Sequence, residues 1–446
     1  MMKMKLNLLK PTFIFLLISG LAVFIGCNDE KQSRLSDLEI LHQNQDQLTQ
    51  VIIYDIFTPP VASRIYAYTS LASYEAIRFS KEGTVSIAEK LNGFDKMPQP
   101  EQGKKYNFTL SASRAFFEVA KNIKVFSVDS FKVYEENLYL SFKNELDELE
   151  YNNSMAFGDS VAKKILARAK TDGYFESRGK PKFLGNSEPG QWRPTPPDYL
   201  DGIEWCWNTM KTFVLDSASQ FMPAPPPKYD MDDTTSQFCQ GVLETYRINK
   251  SLTDEQIEIA KYWDDNPAVI EHSGHMTFAN KKITPGGHWM GITALASKQA
   301  GADLVKTAQS YALTAIALYE GFISCWDEKY RSNYVRPVTV INEKIEKTWM
   351  PLLQTPPFPE YTSGHSTISA SAAEVLTALY GDNFAFLDTS DLPYIGMQRN
   401  FTSFRQAALE SSISRVYGGI HYRFSTDTGT EQGKKIGALI VKKLLE

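Results

Sequence analysis

An all-α fold is predicted for this chain of 446 residues. Apolar residues recur at steps of three and four through most of its length, the signature of one buried helix face. Strand-like alternation is rare, and no internal repeat divides the chain. About a dozen helices are expected. Patterning begins near Leu35 and then covers Val61–Arg78, Ala112–Val125, Tyr134–Glu148 and Met155–Lys170. From Gly173 to Asp233 the pattern fails, and Pro194, Pro196, Pro197, Pro223, Pro225, Pro226 and Pro227 break the backbone. So long a stretch exceeds a simple connector and is expected to fold over the domain surface. Helices resume at Thr235–Ile248, Asp254–Asp264 and His288–Ser297, then in a long run leading to Lys329. The last spans about Asp427–Leu445.

The N-terminus has a different task. Lys3, Lys5 and Lys10 precede an apolar run from Phe13 to Ile25, too short for an ordinary membrane span and suited to a secretory h-region. Gly26-Cys27 followed by polar residues is similar to a bacterial lipoprotein cleavage site. The expected organisation is therefore a signal peptide over 1–26, a tether over 27–33 and one all-α domain over 34–446. An acylated Cys27 would hang the domain from a membrane, facing periplasm or cell exterior. The rest is mildly acidic without a long basic run, which argues against a nucleic-acid partner, and no obligate protein partner is evident. Nothing after Cys27 approaches a continuous span, against an integral membrane enzyme. Cys206, Cys239 and Cys325 allow one disulfide without naming it.

Three fragments in the last third of the chain carry the chemistry. In the first, the rhythm Leu304, Ala308, Tyr311, Ala315, Leu318, Phe322 continues through Trp326, Lys329, Asn333 and Arg336. That places a lysine and an arginine on the inward stripe about two turns apart, where buried cations need an anion. Pro337 restricts Arg336 to an extended backbone. The plain alternative is a solvated face paired with Asp327 and Glu328. In the second, prolines around Phe358 stop before Thr362-Ser363-Gly364-His365, so that Thr362 or Ser363 caps a new helix. The free N–H groups of a helix start attract anions, and His365 in the first turn could serve as acid or base. An ordinary capped helix with an incidental histidine is the competing reading. In the third, Gly418-Gly419 lies between Arg415 and His421 and lets the backbone bend so that both reach one ligand. A glycine helix end with a surface histidine would explain it equally well alone.

Together, Lys329…Arg336-Pro337, Ser363-Gly364-His365 and Ser414-Arg415…His421 resemble the motif set of a superfamily. It joins type 2 phosphatidic acid phosphatases, bacterial acid phosphatases and vanadium-dependent haloperoxidases. Thr362 stands where that set has a proline. The Trp326 and Phe358 contexts look more like the bacterial haloperoxidases. The resemblance implies a helical-bundle domain with its oxyanion site in about 304–430. Lys329, Arg336 and Arg415 would neutralise vanadate or phosphate oxygens, while Ser363 and the Gly364 N–H add hydrogen bonds and His365 handles protons. His421 would be the axial ligand to vanadium, or the phosphate-accepting nucleophile. Relatives place an Asp four residues after that histidine; here the position is Ser425, and the nearest following acid is Asp427.

The leading expectation is a vanadate-dependent haloperoxidase using hydrogen peroxide and halide. The alternatives are a phosphomonoesterase, which needs no vanadate, and a non-catalytic binding lipoprotein. A second cluster, Trp263-Asp264-Asp265 with His272, His275 and His288, lacks the spacing of a compact metal site. His288 is placed with Trp326 and Phe358 as a candidate for lining the pocket.

Overall fold

The computed structural model describes residues 34–123, 125–267, 270–273, 276–279 and 282–446, with the strands at 270–273 and 276–279 described as backbone alone. The signal-peptide, tether and Cys27 expectations lie outside these residues, as does the expectation for His275. Residues Leu35–Glu446 form one compact unit.

The described residues hold fifteen α-helices and two short antiparallel hairpins, Ile270–Ser273 with Met276–Ala279 and Phe386–Asp388 with Arg399–Phe401. The predicted helices are present with ends moved by up to seven residues, mostly because caps rather than periodicity set the starts. Asn107 caps α3 (Phe108–Asn122) and Asp147 caps α5 (Glu148–Ala169), each side chain accepting a backbone N–H three residues on. The segment 173–233 is irregular as expected, apart from a single turn of helix at Tyr174–Arg178 and a shorter turn at Trp207–Thr209. Cys206, Cys239 and Cys325 are free and buried. No helix among the described residues is long and apolar enough to cross a membrane.

Three helices hold the site. The central one, α10 (Leu304–Ser332), is buried along almost its whole length and packs on α2 (Pro59–Ile77) and α12 (Gly364–Tyr380). The second, α12, is sandwiched between α10 and α15 (Arg423–Leu444). Gly429, Gly433 and Gly437 form a stripe on α15 at spacings of four. A Cβ at Gly433 would stand 2.1 Å from the Thr367 carbonyl oxygen, and one at Gly437 2.7 Å from that of Ser371. The missing side chains let α15 lie directly on the backbone of α12. That contact sets the position of the Ser363 end of α12 relative to the turn that precedes α15.

Candidate active site

The long helix ends earlier than its apolar rhythm. α10 stops at Ser332, where Asn333 adopts a left-handed conformation with φ 45° and its N–H returns to the Lys329 carbonyl. Arg336 is therefore not on that helix. It is extended, as Pro337 requires, and precedes α11 (Pro337–Lys344). The inward placement survives by another route: Lys329 and Arg336 both have 0% exposure.

Each cation rests on backbone carbonyls. Lys329 Nζ donates to Pro359 O at 2.9 Å and Glu360 O at 3.0 Å. Arg336 donates to Phe358 O at 2.9 Å and Ile420 O at 2.8 Å, and its Nη1 lies 3.1 Å from His421 Nε2. Arg415, on α14 (Phe404–Tyr417), donates to the Trp263 carbonyl. Gly419 closes the turn after α14 at φ 75° and so brings His421 back beside Arg336. Ser363 caps α12, its hydroxyl accepting from the Ser366 N–H. Gly364 opens that helix, so its own N–H has no intrahelical acceptor.

The orienting partner of His421 is Glu360. Its Oε1 lies 2.8 Å from His421 Nδ1 and accepts the Tyr422 N–H at 3.0 Å. Neither residue following His421 takes that role. Asp427 faces Arg423 and Glu244 in a surface depression. The Ser425 hydroxyl is buried near enough to Glu360 to lower its pKa, although no formed hydrogen bond joins them. With Nδ1–H directed at a carboxylate, Nε2 keeps its lone pair, which Arg336 meets as donor.

Charge balance is lopsided around this histidine. Burial pulls Lys329 down to about 7, helped by Arg336, and pulls Arg336 down to about 10. Burial likewise lowers Arg415. It pushes Glu360 up to about 7, while Arg336 and Lys329 pull it back. His421 is held well below its ordinary value by burial and then by the three cations, so it is neutral. Glu360 faces Arg336 and Lys329, while Asp264 and Asp265 support the charge of Arg415. Arg336 Nη2, Arg415 Nε and His365 Nε2 are buried without hydrogen-bond partners, which is costly unless a guest bonds to them.

A narrow cleft opens above this layer. Thr58, Asp265, Asn266, Gly364, His365, Arg415 and His421 supply its polar part, and Phe322, Trp326, Phe358, Ile203, Ile420 and several prolines supply apolar walls. Lys329, Arg336 and Ser363 are buried behind the lining, with Phe358 5.0 Å from both cations. Trp326 and Phe358 thus take the expected lining positions. His288 does not: it has 0% exposure and sits behind Asp265, because two carboxylates draw it inward. His272 and His275 belong to the hairpin whose side chains are outside the described structure.

This is a donor set for a tetrahedral oxyanion beside a neutral imidazole whose Nε2 lone pair faces Arg336. The sequence matches the family profile of the VCPO second helical-bundle domain over residues 309–446. The structure of a bacterial vanadium-dependent iodoperoxidase superposes with TM-score 0.86 at 44% identity, covering 91% of this chain and 96% of that one. The chain belongs to the vanadium-dependent haloperoxidase family. Two further members, holo and apo structures of a bacterial vanadium-dependent chloroperoxidase, share the fold. Their TM-scores are 0.68 and 0.67 at 19% and 18% identity, covering 88% and 87% of this chain and 93% and 94% of theirs. No curated protein matches.

Vanadate fits the haloperoxidase site on its own atoms. Orphaned donors on two guanidiniums, with the buried ammonium of Lys329 beside them, call for a multiply charged oxyanion. The sequence identified the three fragments and placed Asp265 in the second cluster, but missed Glu360. Glu360 had a readable signal: a lone acid in the apolar approach to Ser363-Gly364-His365, where three buried cations demand a countercharge.

Proposed function

We propose that this haloperoxidase oxidises iodide with hydrogen peroxide, using vanadate held by Lys329, Arg336, Ser363, Gly364 and Arg415 and coordinated by His421 Nε2. The observation that carries the reading is a buried imidazole, oriented by Glu360 so that Nε2 offers its lone pair, set among guanidinium nitrogens that have no hydrogen-bond partner. Bound vanadate would supply a Lewis acid that activates peroxide for oxygen transfer to halide.

The chain's residues do the rest. Glu360 fixes the His421 tautomer and raises its basicity toward the cofactor. Arg336 and Arg415, with Lys329, offset anionic charge in a site where water is scarce. His365 Nε2, bare and facing the cleft, accepts a proton as peroxide enters and returns it as water leaves. Lys329, buried behind the lining, would hold a positive charge against the oxygen of the incoming peroxide. The apolar walls around Trp326 and Phe358 give a halide few hydration partners, which favours the largest and most weakly hydrated one. The similarity to an iodoperoxidase points the same way.

The test is peroxide-dependent oxidation of iodide, bromide and chloride after vanadate reconstitution. Iodide should be oxidised with the highest kcat/KM. Vanadate binding without iodide or bromide oxidation would reject the activity, and equal rates for all three would reject the preference. Export and anchoring through a lipidated Cys27 belong to the same proposal, supported by the basic, apolar and Gly26-Cys27 sequence of the N-terminus. Metabolic labelling with a palmitate analogue, lost in Cys27→Ser, checks it.

A further inference from the structure

The irregular segment 173–233 gives the oxyanion cage no ligand, yet one stretch of it is fastened beside the cleft at several points. The Ile203 carbonyl accepts from the Tyr330 hydroxyl at 2.5 Å and from Trp326 Nε1 at 3.3 Å, and the Ile203 N–H donates to Pro357 O at 3.1 Å. The Gly202 N–H donates to Phe183 O at 2.7 Å. Glu204 Oε1 accepts from Thr58 Oγ1 at 3.0 Å and from Arg178 Nη1 at 3.0 Å. Thr58 stands at the N-cap of α2, where a hydroxyl usually accepts from the helix's own N–H groups. Here it caps nothing and bonds to Glu204 instead. Glu204 holds φ 54°, a conformation that a non-glycine residue keeps only when its surroundings enforce it.

So anchored, the strap 202–204 sets the half-buried Ile203 into the cleft lining. Other parts of that lining are stiff as well. Pro59, Pro285, Pro356 and Pro357 have locked φ angles, and a β-branched side chain has little freedom at χ1. The cleft leaves room for only a few water-sized molecules. Its walls are largely apolar, so polarity would not turn an alkyl group away; burying one there would be favourable. Discrimination between hydrogen peroxide and an alkyl hydroperoxide must therefore come from shape.

We propose that Ile203 is a specificity-determining residue for the oxidant: tied to Trp326, Tyr330 and Pro357 and braced through Glu204, it admits hydrogen peroxide and rejects alkyl hydroperoxides. This rests on the reading of the site as a vanadate-loaded oxidant of iodide. The overall reaction is the same for either peroxide. ROOH, iodide and a proton give ROH and hypoiodous acid, where R is hydrogen or alkyl. The O–O bond breaks and an O–I bond forms, while iodide loses two electrons and the peroxide gains them. Only the size of R differs, and the strap decides which R enters.

The experiment compares kcat/KM for hydrogen peroxide and tert-butyl hydroperoxide in the vanadate-reconstituted protein at saturating iodide. The parent should favour hydrogen peroxide, and Ile203→Ala should shrink that preference about 10-fold or more, the scale on which a pocket senses methylene-sized changes. Glu204→Gly cuts both side-chain ties and suits φ 54°. It should shrink the preference in the same direction, and it serves should Ile203→Ala not fold. A second readout needs no cofactor: carbethoxylation of His365 by diethyl pyrocarbonate in the apo-protein, followed by peptide mass spectrometry. It should be several-fold faster in Ile203→Ala while His288, at 0% exposure, stays unmodified; a merely loosened fold would expose both histidines. A parent that uses the two peroxides equally, or a folded Ile203→Ala chain that keeps the parent's preference, overturns the role of Ile203. An unchanged preference in Glu204→Gly overturns the bracing by Glu204. Failure of the parent to oxidise iodide with hydrogen peroxide would instead overturn the underlying reading of the site.

Discussion

The Glu360 carboxylate receives His421 Nδ1 at 2.8 Å from the segment that leads into α12, so the orienting acid precedes its histidine in the chain. The same segment presents the carbonyls of Phe358, Pro359 and Glu360 to Arg336 and Lys329. One short extended stretch therefore sets the direction of the imidazole and of two cations.

Glu360→Gln keeps an acceptor oxygen for Nδ1–H but removes the charge. Vanadate affinity should fall about 10–100-fold. Asp427→Asn, which alters only a surface carboxylate near Arg423, should bind as the parent does. Parallel dialysis of the two variants checks both, and a larger loss in Asp427→Asn would return the orienting role to the C-terminal side of His421.

Lys329→Met separates stability from loading. The buried ammonium is costly without an anion, yet it satisfies two carbonyls, and the two effects oppose each other at about 1–3 kcal/mol each. The apo-variant should melt close to the parent. Vanadate should raise the parent's Tm and leave that of the variant almost unmoved. Differential scanning calorimetry with and without vanadate decides.

Anion binding should take up a proton above neutrality. Burial lowers Lys329 to about 7, so at pH 8 the free site is mostly unprotonated there. A bound anion favours the ammonium and draws a proton in; at pH 6 the lysine already carries it. Sulfate, which does not titrate in this range, should bind with uptake of up to one proton at pH 8 and much less at pH 6. Calorimetry in two buffers of different ionisation enthalpy measures the count. For stability the sign is the reverse: a lysine lowered from 10.5 to about 7 makes the unfolded chain the stronger proton binder between those values. Apo-protein stability due to this group thus rises with pH across that window and is lost on acidification through about 7.

Gly433→Ala tests the helix contact beneath the site. Its Cβ would meet the Thr367 carbonyl at 2.1 Å, so α15 and α12 must part. Overpacking of this kind costs about 1–3 kcal/mol, and more where backbone must move. A lowered Tm together with weakened vanadate binding is expected. An unchanged Tm would show that the two helices do not rely on the glycine stripe.

Much of the fold was legible because burial writes itself as period: the central helix, with its apolar steps from Leu304 to Trp326, is the clearest case. The motif residues could be named because their types are hard to explain by packing. What sequence periodicity could not supply was the end of that helix. Asn333 turns left-handed four residues before Pro337, so Arg336 reaches the interior from an extended segment instead of a helical stripe. Glu360 was overlooked because attention fell on residues following His421, whereas spatial neighbours come from any part of a chain. His288, read with the Trp263-Asp264-Asp265 cluster, was a candidate for the pocket lining. Only the fold shows Asp265 and Asp388 arriving from opposite sides.

Lys329, Arg336 and Arg415 each rest on main-chain oxygens that the chain itself supplies. The polypeptide can consequently finish folding before it encounters a scarce element, and loading becomes an exchange of acceptors within a finished scaffold. Occupancy then follows the supply of vanadate around the protein, so one population can hold loaded and empty copies of the same architecture.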